Sequence, residues 1–216
     1  MRSGRASSAY GGRERAVARA LSRFPLAKAL AKDAWTRLNY GLHGERGVRS
    51  ALAEGVRYVD RIGGRDAMDA CFVGYFEPSP FSADGRRLVY HRRRGRAPEL
   101  EVCVREADGE DSCIGRSRAW STQQATRAHW VPGRSDRLVH NDLEANVLGS
   151  RWCDLATGTR TFVPEPVAAL SPDGEHFVAL DFASLHAVAP DYGYALGAAP
   201  AQAPALRLAS RTRGAI

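Results

Sequence analysis

The sequence of 216 residues has only two methionines, four cysteines and no long hydrophobic run. Nothing approaches 18 consecutive apolar residues, so no membrane-spanning helix is predicted. The N-terminus contains no apolar stretch, so a secretory signal is not expected. Its Arg- and Ser-rich composition is typical of organelle transit peptides and of disordered basic tails, and the tail is favoured for residues 1–12. We therefore expect a cytoplasmic protein.

Familiar catalytic and nucleotide-binding motifs are missing as well. The sequence contains no G-x-S-x-G, no P-loop, no G-x-G-x-x-G and no H-E-x-x-H. These absences argue against α/β-hydrolases, P-loop nucleotide hydrolases, dinucleotide-dependent enzymes and zincin-type proteases. No catalytic residue is predicted from a motif.

The four cysteines give no sign of a metal site. Cys71, Cys103, Cys113 and Cys153 form no C-x-x-C, and no histidine follows at zinc-site spacing, so neither metal nor cofactor is expected. Cys103 and Cys113 would face each other if the turn at residues 107–109 is a three-residue loop, and would not if the loop has two residues. Free thiols are the expected state in a cytosolic protein.

The net charge of +7 is confined to the N-terminal third. Residues 1–70 contain 14 Lys and Arg and 7 Asp and Glu, whereas residues 71–216 contain 17 of each. The arginines are spread out and lack interleaved aromatic residues, so no nucleic acid partner is expected. A solvated basic helix face is favoured, and contact with an anionic membrane surface is the alternative.

Residues 13–65 are predicted to form a helical extension. Apolar residues recur at helical spacing from Arg13 to Tyr40, with an interruption at Pro25. A second, weaker helix is predicted from Val48 to about Ile62. Two helices with apolar stripes need a partner, which is either the following β-domain, a membrane surface or another protein.

A repeated unit dominates the rest of the chain. Each copy has an apolar residue, a tight turn and then a β-rich strand, and the apolar residues are 49 and then 40 residues apart: Phe81, Trp130 and Leu170. This spacing is typical of four-stranded propeller blades. The sequence therefore predicts an all-β fold over residues 71–197, a partial β-propeller of about three blades. A β-sandwich is the alternative.

Polar residues at the ends of the repeated strands are the binding candidates. The repeat aligns His91 with Asn141 and Leu180, and Arg92 with Asp142 and Asp181. Polar groups at such positions either converge on one face of a propeller or cap backbone groups between blades. His129 and His186 are weaker candidates. The predicted ligand-binding residues are Gln123, Gln124, Asn141, Asp142, His91 and Asp181.

Several blocks of sequence resemble a group of bacterial WD40-like propeller proteins. These proteins are related to oligogalacturonate lyases and often lie near surface-polysaccharide genes. The resemblance covers roughly residues 20–197, and it is specific because five blocks occur in order after a similar helical lead-in at Phe24–Lys32. The blocks are Phe72–Arg92, Ala119–Gly133, Leu138–Asp142, Pro166–Gly174 and Leu180–Ala195.

The resemblance implies a longer protein with further blades. Residues 198–216 are rich in Ala, Pro and Arg, so we expect a disordered or aberrant tail and a truncated or frameshifted family member. We expect a non-catalytic propeller module that binds a saccharide or protein partner in a surface-polysaccharide pathway. The alternative is a fragment of a polysaccharide lyase that uses a divalent metal, whose site would lie in later blades.

Overall fold

The computed structural model describes residues 69–196 and 205–210, together with residues 30, 34, 35, 37–39, 41, 42, 53–56, 62 and 63. The chain divides into two units, Met1–Val59 and Asp60–Ile216. The tail predicted for residues 1–12 lies outside the described residues. No helix in the described part of the chain is long and apolar enough to span a membrane.

In the first unit, the described residues between 30 and 42 are helical. Those up to residue 39 lie within the first predicted helix, and residues 41 and 42 lie beyond its predicted end at Tyr40. The described part of the second predicted helix is different, because residues 53–56 form a turn closed by a hydrogen bond from Val56 N to Ala53 O of 3.0 Å. Gly55 has a φ of 81°, a conformation that a helix does not allow. The prediction of a second helix from Val48 to about Ile62 is therefore wrong at these positions.

The described residues of the second unit form three antiparallel sheets and one short helix. The strands run in chain order, and the helix, α1, follows β10. Their bounds are β1 Ala70–Phe72, β2 Leu88–Arg93, β3 Leu100–Arg105, β4 Asp111–Ser117, β5 His129–Trp130, β6 Arg137–Glu144, β7 Val147–Asp154, β8 Arg160–Val163, β9 Val167–Leu170, β10 His176–Leu180, α1 Phe182–Val188 and β11 Leu206–Ser210.

Each sheet is an up-and-down meander. The strand orders are β1-β2-β3-β4, β5-β6-β7-β8 and β9-β10-β11, so neighbours in sequence are neighbours in space. Strand β6 of the second sheet contacts both β4 of the first and β9 of the third. Meandering four-stranded sheets that pack face to face in chain order are the blades of a propeller. The fold is therefore an all-β partial propeller, as the sequence predicts.

Two clusters of the hydrophobic core lie between neighbouring blades. One cluster joins Val89, Val102 and Ile114 of the first sheet to Trp130 and Leu138 of the second. A second cluster joins blades two and three. Because each blade buries its face against the next, the stability of the fold depends on these interfaces. The second cluster contains Val131, Val139, Trp152, Val167, Phe177 and Ala179.

The repeat predicted from the sequence is preserved in the strand pairing. The apolar residue before each turn pairs with an apolar residue three positions before His91, Asn141 or Leu180 in the next strand, which confirms the alignment of these three as equivalent positions. Phe81 keeps this pairing although 55% of its surface is exposed. The equivalent pairs are Phe81 with Leu88, Trp130 with Leu138 and Leu170 with Phe177.

The Ser-x-Asp-Gly turns of blades one and three share one hydrogen-bond pattern. The Ser82 hydroxyl donates to Asp84 Oδ1 at 2.7 Å, and the same carboxylate oxygen accepts from Arg86 N at 3.1 Å. Ser171 and Asp173 repeat this arrangement. These bonds explain why a short acidic side chain stands before the turn glycine.

Strand β11 is a feature that the sequence does not predict. It pairs with β10 from Leu206↔Leu180 to Ser210↔His176, inside the segment for which a strand-free tail is expected. The alternation of Leu206, Arg207 and Leu208 is too short to stand out in an Ala-, Pro- and Arg-rich segment. The edge of β10 supplies the hydrogen-bond partners that this weak pattern needs.

Candidate functional site

The connections between strands place most of the candidate residues at one end of the blades. Because strands alternate in direction, the β2–β3, β6–β7 and β10–β11 connections lie at the same end as the segments that join one blade to the next. We call this end the loop end. The Asp-Gly turns lie at the opposite end. The segment between β4 and β5, residues 118–128, therefore belongs to the loop end.

Two adjoining depressions occupy the loop end. A cleft of about 560 Å³ lies between residues 118–122, the β6–β7 turn and the region after α1. A second depression of about 680 Å³, here called the aromatic groove, is bordered by the loop after β1. Trp120 and Thr122 line both, so the two are adjacent. The groove is lined chiefly by Phe72, Tyr75, Phe76, Arg93, Trp120, Thr122, Gln123 and Tyr192.

The aromatic side chains of the groove are partly held in place and partly open to solvent. Trp120 Nε1 donates to Pro98 O at 2.8 Å, and the guanidinium of Arg93 lies 5.1 Å from the Trp120 ring centroid. Tyr75 and Phe76 have ring centroids 4.5 Å apart. Phe76 is 82% exposed, which is unusual for a phenylalanine and leaves its ring free for a ligand.

The charge of this surface is positive. Arg93 lines the groove and Arg118 lines the adjoining cleft, whereas no Asp or Glu is among the described residues that line either one. An arginine presents a planar array of donors that suits a carboxylate or phosphate. The arrangement therefore favours an anionic ligand that also has apolar faces.

The segment at residues 118–128 has a strained backbone. Ala125 and Arg127 have φ angles of 48° and 52°, which non-glycine residues seldom adopt. A Cβ at Gly74 would lie 3.0 Å from the Cβ of Ala125, so the loop after β1 can approach this closely only with glycine. Strained residues of this kind concentrate at functional sites, where the surrounding structure holds them in place.

Gln124 supports the site through Arg127. Its Oε1 accepts from Arg127 at 2.9 Å, and Gln124 itself is buried. The Arg127 guanidinium also donates to Ala168 O of β9 and to Glu77 at 3.4 Å. Arg127 thus ties the loop after β1 to blade three. Sequence reasoning missed Arg127, although it lies within the Q-Q-A-T-R block that the resemblance singles out.

His91 is buried below the loop end. Its Nε2 is 2.8 Å from Thr126 Oγ1, and Thr126 O accepts from Asn141 N at 2.7 Å. Burial, together with the nearby His140, lowers the pKa of His91 to about 3. His91 is therefore neutral at physiological pH, and its contacts connect blade one to blade two.

Asn141 joins three parts of the second unit. Its Oδ1 accepts from Val167 N at 2.7 Å, and its Nδ2 donates to Val167 O and to Tyr194 Oη, both at 3.0 Å. Asn141 is fully buried. All of its amide atoms therefore satisfy groups of blade three and of the segment after α1.

Asp142 and Asp181 are both engaged by neighbouring groups. Asp142 accepts from Arg151 Nε at 2.7 Å and from Leu143 N at 2.8 Å. Asp181 caps α1, because its carboxylate accepts from Ala183 N at 3.1 Å, Ser184 N at 3.0 Å and Ser184 Oγ at 2.6 Å. The sequence does not predict α1, so this role of Asp181 could not be foreseen.

The Asp181 cap of α1 gives a prediction about how the free energy of unfolding depends on pH. Burial raises the pKa of Asp181, but the bonds from Ser184 and Ala183 outweigh it, so the net pKa is lowered. A carboxylate with a lowered folded-state pKa stabilises the fold above its unfolded pKa of about 3.9, and this stabilisation is lost as the pH falls through the folded value. We expect Asp181→Ala to lower the free energy of unfolding by about 1 kcal/mol at pH 7.

The difference between Asp181→Ala and wild type should shrink as urea denaturation is repeated from about pH 6 down to pH 2. Asp181→Asn is the matched control, since asparagine also caps helices but does not titrate. A difference for Asp181→Ala that stays constant down to pH 2 would contradict the role of the ionised cap.

Of the six predicted residues, Gln123 lines the groove, while the other five stabilise the structure behind and beside it. Tyr75, Phe76, Arg93 and Tyr192 line the groove and were missed. The adjacent aromatic residues Tyr75 and Phe76, two positions before Pro78, were the available signal. The blades define a propeller-type fold, and the aromatic residues at the loop end form a candidate binding surface.

Comparison with known proteins gives similarities to parts of larger structures. No protein-family model and no curated protein matches the chain. An oligogalacturonate lyase in complex with manganese matches at TM-score 0.40 and 16% identity over 52% of this chain. An oligogalacturonate lyase from Vibrio parahaemolyticus matches at TM-score 0.39 and 12% identity over 52% of this chain. The apo isopeptidase AtxE2 matches at TM-score 0.42 and 11% identity over 68% of this chain. The chain spans 30%, 30% and 31% of their lengths.

Proposed function

We propose that this protein binds an acidic saccharide along the aromatic groove. The observation that supports this most is the combination of open aromatic rings with arginines and without lining carboxylates among the described residues. The apolar C–H face of a sugar ring stacks on an aromatic side chain, while its hydroxyls and carboxylate need polar partners. Trp120, Phe76 and Arg93 provide these complementary surfaces.

The geometry fits a chain of sugars better than a single one. The aromatic groove and the adjoining cleft share Trp120, so a ligand that stacks on this ring can extend in both directions. Gln123 and Thr122 offer side-chain donors and acceptors at the junction. Arg93 and Arg118 lie in different depressions, so two carboxylates of one oligosaccharide can each meet a guanidinium.

Titration calorimetry with oligogalacturonides tests this proposal. We expect binding to the wild type and an approximately tenfold higher Kd for Trp120→Ala and for Phe76→Ala, which corresponds to about 1.4 kcal/mol each. Phe81→Ala is the matched control, since Phe81 is an exposed phenylalanine directly before an Asp-Gly turn at the opposite end. Neutral malto-oligosaccharides should bind at least tenfold more weakly.

The proposal is overturned if the wild type binds none of these sugars or if Phe81→Ala and Phe76→Ala weaken binding equally. Ultraviolet absorbance of unsaturated uronides, measured with added Mn²⁺, tests the alternative of a lyase fragment. Formation of such products would replace the binding role with a catalytic one. A place in a surface-polysaccharide pathway is part of the same proposal and follows from the sequence resemblance alone.

A further inference from the structure

The hairpin of β3 and β4 brings two cysteines directly opposite each other. Residues 107–109 form a three-residue loop, closed by a hydrogen bond from Glu106 N to Glu110 O of 2.9 Å. Cys103 therefore pairs with Cys113, beside an irregularity between Val102 and Cys103. Paired residues of antiparallel strands have Cα atoms about 4.5–5.5 Å apart, within the range of about 4.4–6.8 Å that a disulfide requires.

A carboxylate lies beside the two sulfurs, but its surroundings disfavour a metal ion. The side-chain ligand atoms of Glu101, Cys103 and Cys113 lie within 4.8 Å of one another. Glu101 already accepts from Arg92 at 2.7 Å and from Arg94 at 2.8 Å, and Arg116 lies 3.2 Å away. Three guanidiniums repel a cation and favour a thiolate. The site is therefore suited to thiol chemistry.

The two thiols are not equivalent. Cys113 is exposed and Cys103 is buried. A hydrogen bond from the Cys103 thiol lowers the pKa of Cys113 to about 6, with Arg116 acting in the same direction and burial and Glu101 opposing it. The pKa of Cys103 is raised by that hydrogen bond and by burial, against the charge of Arg92. Tyr90 of β2 pairs with Cys103 from the other side.

Because Cys113 is exposed and Cys103 is buried, each can take one of the two roles in a dithiol reaction: the first thiol attacks a disulfide, and the second attacks the first. An exposed thiolate is the group that attacks a disulfide, because only the deprotonated sulfur is nucleophilic. A buried thiol held next to it is shielded from outside reagents and can react only with its neighbour. When Cys113 is protonated, its thiol donates a hydrogen bond to Gly115 O at 3.4 Å.

We propose that Cys113 and Cys103 form a redox-active pair that exchanges with low-molecular-weight disulfides such as glutathione disulfide. The Cys113 thiolate attacks one sulfur of the disulfide, forms a mixed disulfide and releases one thiolate. Cys103 then gives its proton to the thiolate released in the first step and attacks Cys113 Sγ, which releases the second thiolate. This second thiolate takes a proton from water. Two protein thiols are oxidised to one disulfide while the small disulfide is reduced to two thiols.

Equilibration of the full chain with glutathione buffers, followed by peptide mapping, tests the pair. We expect a Cys103–Cys113 disulfide in oxidising buffer that disappears on reduction. In Cys103→Ser the reaction should stop at one glutathione on Cys113, because the second thiol is missing. Cys71→Ser is the control and should form the same disulfide as the wild type, since Cys71 lies on β1, outside the pair.

The pH dependence of alkylation by iodoacetamide gives an independent readout. Cys113 should react with a midpoint near pH 6 in the wild type. The midpoint should move toward the ordinary cysteine value of about 8.5 in Cys103→Ala, and less far in Cys103→Ser, whose hydroxyl still donates. Absence of the disulfide in every glutathione buffer, or a midpoint near 8.5 in the wild type, would overturn the proposal.

Discussion

Replacing Asn141 by alanine should lower the free energy of unfolding by about 3 kcal/mol. The substitution leaves the amide and the carbonyl of Val167 without the partners that Asn141 provides at 2.7 and 3.0 Å. Each buried polar group left unpaired costs about 1–3 kcal/mol. Because Asn141 joins β6 to β9, the loss falls on the interface between blades two and three. Urea denaturation followed by far-ultraviolet circular dichroism measures it.

Tyr194→Phe is the matched control for Asn141→Ala. It removes a single hydrogen bond, the one from Asn141 Nδ2 to Tyr194 Oη, and leaves both bonds to Val167 in place. A loss of about 1 kcal/mol is expected. If Asn141→Ala costs no more than Tyr194→Phe, the bonds to the backbone of β9 do not hold the blades together. The prediction would then be wrong.

Replacing Trp152 by alanine should have a still larger effect, about 3–5 kcal/mol. Trp152 is almost completely buried, and its ring centroid lies 5.8 Å from that of Phe177 in blade three. Its Nε1 also donates to Ser150 Oγ at 3.1 Å. Alanine would leave a cavity in the cluster that joins blades two and three. Since domains are stable by only about 5–15 kcal/mol, this loss is a large share of the total.

Two further variants on the same sheet serve as references for Trp152→Ala. Val147→Ala, at an exposed position of β7, should change the free energy of unfolding by less than about 0.5 kcal/mol. Trp152→Phe keeps most of the buried ring, so its loss in free energy of unfolding should lie between those of Trp152→Ala and Val147→Ala. The prediction fails if Trp152→Ala is within about 1 kcal/mol of Val147→Ala in urea denaturation.

The contacts between blades two and three also bear on the stability of the aromatic groove. The aromatic groove is lined by the loop after β1, by the segment between β4 and β5 and by Tyr192 after α1, and Arg127 of that segment donates to Ala168 O of blade three. Weakening the contact between blades two and three should therefore also affect the proposed ligand site. Variants of Asn141 must be compared with the wild type under conditions where both are folded before any loss of binding is assigned to the groove.

Much of the fold could be predicted from local sequence. The pairing of Phe81 with Leu88 and of Leu170 with Phe177 follows from two Ser-x-Asp-Gly turns of equal length. A turn of this type needs a short acidic side chain and a glycine, and both are visible in the sequence. The sequence left open whether Cys103 and Cys113 are opposite each other, and the three-residue loop of the structure decided it.

The candidate site was less predictable for a physical reason. The repeat identifies polar residues at strand ends, yet whether such a side chain faces a ligand or a neighbouring backbone depends on blade packing. Asn141 and Asp181 show this, since one binds the backbone of β9 and the other caps α1. Phe76 and Arg93 are contributed by separate segments and meet only in the folded blade.

The sequence alone determined the blades: their spacing, their turns and the apolar strand faces are local properties set by backbone preference and side-chain alternation. Tertiary structure alone decided which face of each blade meets the next, that β11 completes the edge of β10, and that aromatic rings and arginines converge at the loop end. Contacts between residues far apart in the chain depend on how neighbouring blades pack, and no local pattern records that packing.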